Sequence, residues 1–157
     1  MEVANKPLSA FHFKVDFLFT ESDKGKYFAP CDAYFMEVSG LEASLDFEKQ
    51  HEYSELGNNS GSIHFPSSRK FSLLRLKRGL LKDAKLFKWF NDSLTSLEVK
   101  PISMLVHLLD LAKAPMATWQ LYEAFPQKWT YSPFDAMKST YVVENIEIKY
   151  KYFDKIL

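Results

Sequence analysis

The last third of the chain carries the clearest pattern of apolar and polar positions. Val142, Glu144, Ile146, Ile148, Tyr150 and Tyr152 fall on one side of an extended chain; Tyr141, Val143, Asn145, Glu147, Lys149 and Lys151 fall on the other. Strand side chains alternate with period two, so the pattern predicts a strand over residues 140–153 with one mostly apolar and one mostly charged face. A second alternation opens the chain, where Phe11, Phe13, Val15, Phe17 and Phe19 oppose His12, Lys14 and Asp16. It predicts a strand with its phenylalanine face in the core. The polar run Ser22 to Lys26 reads as a loop.

Shorter signals fill the middle. Strands are predicted over 33–38, ending at Ser39-Gly40, and over 43–55. In the latter, Leu45, Phe47, Lys49, His51 and Tyr53 alternate with Asp46, Glu48, Gln50 and Glu52, so its far half has lost its apolar face. A strand that outruns its own core reads as an extended hairpin arm, of the kind that seeks a partner. Leu56 to Gly61 forms the tip, and Ser62 to Pro66 begins the return, so the arm spans about residues 43–66. A strand over 70–77 ends at Arg78-Gly79.

Leu86, Phe90 and Leu94 stand at helical spacing, joined by Trp89 and Leu97, with Lys82, Lys85, Lys88 and Asp92 on the wet side. This predicts one helix over 82–97. An apolar strand over 102–111 is broken by Ala112 to Pro115, and another strand covers 119–125. Pro126 and Pro133 bound the connection to the last strand, with one helical turn at Phe134 to Met137. About seven strands and one helix result. Strands in neighbouring pairs argue against a parallel α/β sheet. The predicted fold is mainly β (α+β), an antiparallel β-barrel or sandwich with one flanking helix and an extended hairpin arm.

Composition supports this. The 157 residues suffice for a single domain with one core. Fourteen Phe and eight Tyr favour strands. Lys+Arg and Asp+Glu both number 20, and a formal charge of zero argues against a general electrostatic grip on nucleic acid and favours association. The single cysteine, Cys31, makes no internal disulfide. The N-terminus lacks a basic region followed by an apolar core, and no apolar run approaches the ~20 residues of a membrane helix. The expectation is synthesis in the cytoplasm with no stable membrane insertion.

Catalytic patterns are weak. His12, His51, His64 and His107 are scattered without a second ligand at metal spacing. There is no nucleophile elbow, and Gly57 to Ser62 lacks the lysine and helix of a phosphate loop. Glu144 and Glu147 fall on opposite faces. Asp110 reads as a strand-end residue bonded to a backbone amide or to Lys113, and Lys77-Arg78 as a solvated strand end. Trp89, Trp119 and Trp129 read as core or interface anchors. No metal, cofactor or catalytic residue is expected.

Several segments, in order, resemble the tube proteins of contractile phage tails and phage-tail-like injection systems. They are Phe13-Lys14-Val15-Asp16-Phe17, Phe35 to Leu41, Glu52 to Asn59, Pro66, Leu74 to Gly79, Leu108-Leu109-Asp110, Trp119 to Trp129 and Val143 to Tyr150. Two features depart from the family pattern: Leu56 stands where a glycine is common, and the loop from Ser22 to Pro30 is longer. The resemblance implies a six-fold ring of barrel subunits, stacked into a hollow inner tube that a contracting sheath drives through a target envelope. The implied partners are further copies of the chain, the sheath protein, baseplate and spike proteins, tube-terminating proteins and lumenal cargo. Glu48, Gln50, Glu52, Tyr53, Leu56, Gly57, Asn58 and Asn59 of the arm are the expected assembly interface, and Glu147, Lys149 and Lys151 the expected lumen or inter-subunit face. The alternatives are a baseplate-proximal paralogue and a monomeric ligand-binding β-barrel.

Overall fold

A computed structural model describes residues 12–53, 59–138 and 140–157, with side chains outside 51–53 and 59–61. Ten strands and one helix follow in the order β1 (His12–Leu18), a 3₁₀ turn (Pro30–Ala33), β2 (Tyr34–Phe35), β3 (Glu37–Ser39), β4 (Ala43–Tyr53), β5 (Asn59–Phe71), β6 (Leu74–Gly79), α1 (Leu86–Ser96), β7 (Ile102–Leu109), β8 (Pro115–Tyr131), β9 (Val143–Lys149) and β10 (Tyr152–Lys155). Among the described residues all strand pairings are antiparallel.

The main sheet runs β2-β1-β7-β8-β9-β6-β3, with β10 also on β8. Its two ends lie on one segment, 34–39, divided at Met36, whose amide donates to the Lys77 carbonyl at 2.8 Å. The hydrogen-bonded path therefore comes back to where it began, which leaves little free edge there. β8 forms the corner. Its first part lies between β7 and β10, and its second part pairs with β9. Near the bend Glu123 adopts a φ of 50°, and the Lys151 amide donates to the Tyr122 carbonyl at 3.0 Å.

Period-two alternation fills the interior. Val15 and Phe17 from β1, Leu74 and Leu76 from β6, Met104 and Val106 from β7, Leu121 from β8, and Ile146 and Ile148 from β9 are buried in one cluster. Burying each such side chain contributes about 1.5–3 kcal/mol against the entropy cost of folding. The expected inward face of the last strand is buried at Glu144, Ile146, Ile148 and Tyr150, but the strand predicted over 140–153 divides into β9 and β10, which pair with different parts of β8.

The helix differs from expectation at both ends. It starts at Leu86 rather than Lys82. The Asp32 carboxylate accepts from the Leu86 amide at 3.3 Å, a cap supplied from far away in sequence. Leu86, Trp89 and Phe90 are buried as predicted, but Leu94 and Leu97 are exposed. Phe87 and Phe90 pack on Trp129, with ring centroids 5.3 and 5.8 Å apart, and Trp89 packs on Phe17 and Phe19 at 6.2 and 5.4 Å.

Other boundaries also move. The segment expected as one strand over 33–38 divides into β2 and β3. The return strand runs to Phe71 and a break at Ser72-Leu73 precedes β6, so residues 70–77 are not one strand. β8 continues through Pro126, which lacks an amide but faces Ile148 beside a register shift, where β7 has already ended. Phe134 to Met137 makes a turn in which the Asp135 carboxylate accepts from the Met137 amide at 2.9 Å, not a helical turn. Asp110 behaves as expected, accepting from the Ala114 amide at 2.8 Å.

Candidate assembly surfaces

The arm is β4 and β5, which among the described residues pair only with each other. Its root is tightly built. Gly40 has a φ of +91°, and a Cβ there would lie 1.8 Å from the Leu73 carbonyl oxygen, so only glycine fits. The Tyr150 hydroxyl donates to the Gly40 carbonyl at 2.8 Å, and the Ser72 hydroxyl to the Glu42 carboxylate at 2.7 Å. Burial pushes the Tyr150 phenol pKa up. Phe71, the last residue of the arm, packs on Tyr150 and Phe153 at 6.0 and 5.9 Å.

Beyond the root the arm has no core. Register places Ala43, Leu45, Phe47 and Lys49 on one face with Phe71, Arg69, Pro66 and His64. The other face carries Ser44, Asp46, Glu48 and Gln50 with Lys70, Ser68, Phe65 and Ile63. Leu45 and Phe47 are exposed on the first face, Ile63 and Phe65 on the second. Lys70 pairs with Asp46 at 2.5 Å and holds that carboxyl below its ordinary range. Isolated two-stranded hairpins are marginal in water, so both faces call for cover.

Of the expected arm residues, Glu48 and Gln50 are exposed on the second face, opposite Phe65 and Ile63. Glu52 and Tyr53 lie at the end of β4, where Tyr53 pairs with Asn59. Leu56, Gly57 and Asn58 lie outside the described residues.

The outward charged face around β9 is a ladder of ion pairs across strands. Lys77 meets Glu37 at 3.3 Å, Arg75 meets Glu147 at 3.5 Å, and Lys151 meets Glu123 at 2.7 Å. Lys128 stands opposite Glu147 in register, and Lys149 is exposed beside it. Glu147 and Lys149 thus share one surface, while Lys151 sits past the end of β9 at the corner of β8. Exposed pairs of this kind are worth only about 0.2–1 kcal/mol each. Their consequence is a wet surface of alternating sign.

The reading of Lys77-Arg78 as a solvated strand end fails at Arg78, which is 3% exposed. Leu74, Leu76 and Arg78 alternate onto the inward face of β6, opposite Ile148, Ile146 and Glu144. The Arg78 Nε donates to the Glu144 carboxylate, and its Nη1 lies 3.0 Å from the Asp32 carbonyl and 3.4 Å from the Asp32 carboxylate. Glu144 also accepts from the Trp129 indole at 3.2 Å. One arginine between two buried carboxylates therefore ties the 3₁₀ turn, β6, β8, β9 and the start of α1 together. Two alternating patterns, each with a charge at an inward position, were its sequence signal.

A second cluster spans β1, β7 and β8. His107 lies 3.0 Å from the Asp16 carboxylate and 2.9 Å from the Thr118 hydroxyl. The order acid, imidazole, hydroxyl is the one that activates a nucleophile in covalent catalysis. Thr118 is buried, however, and its amide and carbonyl are both engaged by Ile156 and Leu157. The trio joins three strands. Among the described residues no group of three or more His, Cys, Asp or Glu side chains is placed to hold a metal, and no helix is long and apolar enough to cross a membrane.

The opposite end of β6 and β9 from the arm root carries an apolar groove of about 550 Å³, lined by Met36, Gly79, Leu80, Tyr141, Val142 and Val143. Tyr141 is 94% exposed, and Met36 and Leu80 also face solvent.

A strand-built body with a strongly rooted, coreless arm and large apolar surfaces defines a class of protein, the assembling subunit. Residues 9–154 match the family of the T4-like virus tail tube protein gp19, and the chain belongs to that family. No protein with a curated description matches the chain. Solved structures share the fold. A chain in the cryo-EM structure of the anti-feeding prophage (AFP) baseplate, 6-fold symmetrised, superposes with a TM-score of 0.80 at 24% identity, over 97% of each chain. A chain of the extended sheath-tube complex of an extracellular contractile injection system, PVC, gives 0.74 at 22% identity over 97% of this chain and 93% of that one. Hcp1 from Flavobacterium johnsoniae gives 0.51 at 13% identity over 93% and 95%.

Proposed function

We propose that this tube-family subunit closes into six-fold rings that stack into the hollow inner tube of a contractile injection system. A surrounding sheath shortens and drives the tube through a target envelope. The subunit works mechanically, with no catalysis. Its partners are further copies of itself, a sheath protein, baseplate and spike proteins and a terminating cap, with cargo in the lumen. It is made in the bacterial cytoplasm and leaves in the assembled particle. The observation that carries the reading is the family match over residues 9–154, joined to an arm whose apolar residues lack a core of their own.

Glu48, Gln50, Glu52, Tyr53 and Leu56 to Asn59 act as the inter-subunit contact. Glu147, Lys149 and Lys151 face the lumen, where a hydrated surface of alternating charge lets cargo slide without sticking. A baseplate-proximal ring that does not propagate is the second reading, favoured by the likeness to a chain of the AFP baseplate structure. Negative-stain electron microscopy of the purified protein, with its solution mass, tests both. Tubes support the main reading and single rings the second. A strict monomer at high concentration contradicts both and favours the ligand-binding barrel.

A further inference from the structure

We propose that the recess at Arg78 binds a neutral amphiphile, an acyl ester or amide whose carbonyl oxygen meets the Arg78 guanidinium and whose hydrocarbon chain lies in the adjoining apolar groove. This goes beyond the tube reading and is a property of the single subunit.

One donor sets the head site. Arg78 lines a recess of about 590 Å³ together with His12, Cys31, Tyr34 and Leu81, a size that holds a small molecule. Its Nε is engaged by Glu144 and its Nη1 by Asp32, but its Nη2 meets no acceptor among the described residues, although the residue is only 3% exposed. A buried charged donor left open is unfavourable, so it selects an acceptor. The Phe35 ring, with its centroid 5.2 Å from the guanidinium carbon, supports the group from one side. Charge decides which acceptor fits. Asp32 and Glu144 bring two buried carboxylates to one arginine. A further carboxylate or phosphate would add to an excess of negative charge in a poorly solvated place. A neutral carbonyl satisfies the donor without that penalty.

The tail site adjoins the head site. Met36, Gly79 and Leu80 line both the recess and the apolar groove that runs on to Tyr141 and Val142. Gly79 stands in β6 where the backbone does not require a glycine: its φ is not positive, and a Cβ there would meet no heavy atom within 4 Å. Its missing side chain leaves the two spaces joined, and a glycine inside a strand marks places where a ligand comes close. A peptide is a poorer occupant. It brings an amide and a carbonyl at every residue, each needing a partner. The recess offers one buried side-chain donor without a partner, and the groove walls are apolar. One acceptor followed by a long apolar chain is the complement of that arrangement.

Cys31 is the single cysteine of the chain and lines the recess, so its alkylation rate reports occupancy. The full chain, dilute enough to be dissociated, is treated with iodoacetamide at about pH 8, where fatty carboxylates are fully charged. Three probes are titrated below their micelle concentrations: monodecanoylglycerol, the matching decylglycerol ether, which lacks the carbonyl, and decanoate. The ester is expected to protect Cys31. The ether is expected to bind about tenfold more weakly, the size of one hydrogen bond from a charged donor, and decanoate more weakly than the ester. Gly79→Leu, which fills the junction of recess and groove, is expected to abolish protection while keeping a cooperative thermal transition. Leu80→Asp, which puts a charge on the shared wall, is the second variant and is expected to do the same. No protection by the ester, equal binding of ester and ether, or tighter binding of decanoate overturns the proposal. Protection that survives both variants is a surfactant effect and also overturns it. Alkylation that slows with rising protein concentration and ignores the probes means that a second copy covers the recess, which overturns the proposal and leaves the tube reading intact.

Discussion

The body and the arm of this subunit are built from the same kind of strand, yet they treat apolar side chains in opposite ways. In β6, β7 and β9 the alternate residues Leu74, Leu76, Met104, Val106, Ile146 and Ile148 are buried within the chain. In β4 and β5 the apolar residues Leu45, Phe47, Ile63 and Phe65 stay exposed and divide between two faces. The body is stabilised by its own sequence. The arm is held at its root and, on the function proposed above, is completed by other copies of the subunit. The difference teaches that exposed apolar strand positions with a rigid base are a stored interface, since scattered exposed residues need no such base.

Breaking the body should unfold it. Arg78→Met leaves two buried carboxylates without their counter-charge and should destabilise the subunit by about 3–5 kcal/mol. Denaturant titration of the subunit at a concentration where it is dissociated measures this, and Arg78→Lys should restore only part, because one ammonium cannot meet Asp32 and Glu144 in the same geometry. Leu121→Ala should cost about 2–5 kcal/mol through a core cavity, read the same way. At the junction of the two regions, Gly40→Ala should cost about 1–3 kcal/mol, since the positive φ and the approach to the Leu73 carbonyl both reject a Cβ. It should also misdirect the arm, so tube yield should fall more than stability does.

Substitutions in the arm should sharpen the contrast. Phe47→Ser or Phe65→Ser should move the monomer's unfolding by no more than about 0.5 kcal/mol, as expected for exposed positions, while abolishing tubes in electron micrographs. The smallest effect concerns pH. Asp46 is held below its ordinary value of 3.8 by Lys70, so its contribution is complete above that value and is lost as pH falls through the lowered folded value. Arm protection should therefore loosen in acid before the body does, and Asp46→Asn should remove the difference.

Much of this was legible along the chain. The alternation over Val142 to Tyr152 placed Glu144 inward beside Ile146 and Ile148, and the loss of apolar character after Phe47 marked the arm. What escaped depends on contacts distant in sequence. The start of α1 is set by Asp32, 54 residues before Leu86. Arg78 reads as solvated until β9 is laid against β6 and brings Glu144 opposite. Pro126 looks like a strand breaker until β7 is seen to stop beside it. Leu94 and Leu97 have helical spacing for burial yet are exposed, since periodicity alone does not say which turns of a helix are covered. For the candidate surfaces, the arm was visible as a strand without a core. The groove was not, because Met36, Leu80 and Tyr141 come from three separate segments.

Amide hydrogen exchange, compared between the soluble subunit and assembled tubes, tests most directly the claim that the body is self-sufficient and the arm completed by assembly. Amides of β6, β7 and β9 should be strongly protected in both states, while those of β4 and β5 exchange fast in the subunit and slow sharply in the tube. An arm as well protected in the isolated subunit as the body would contradict the account, as would an arm that stays unprotected once tubes have formed.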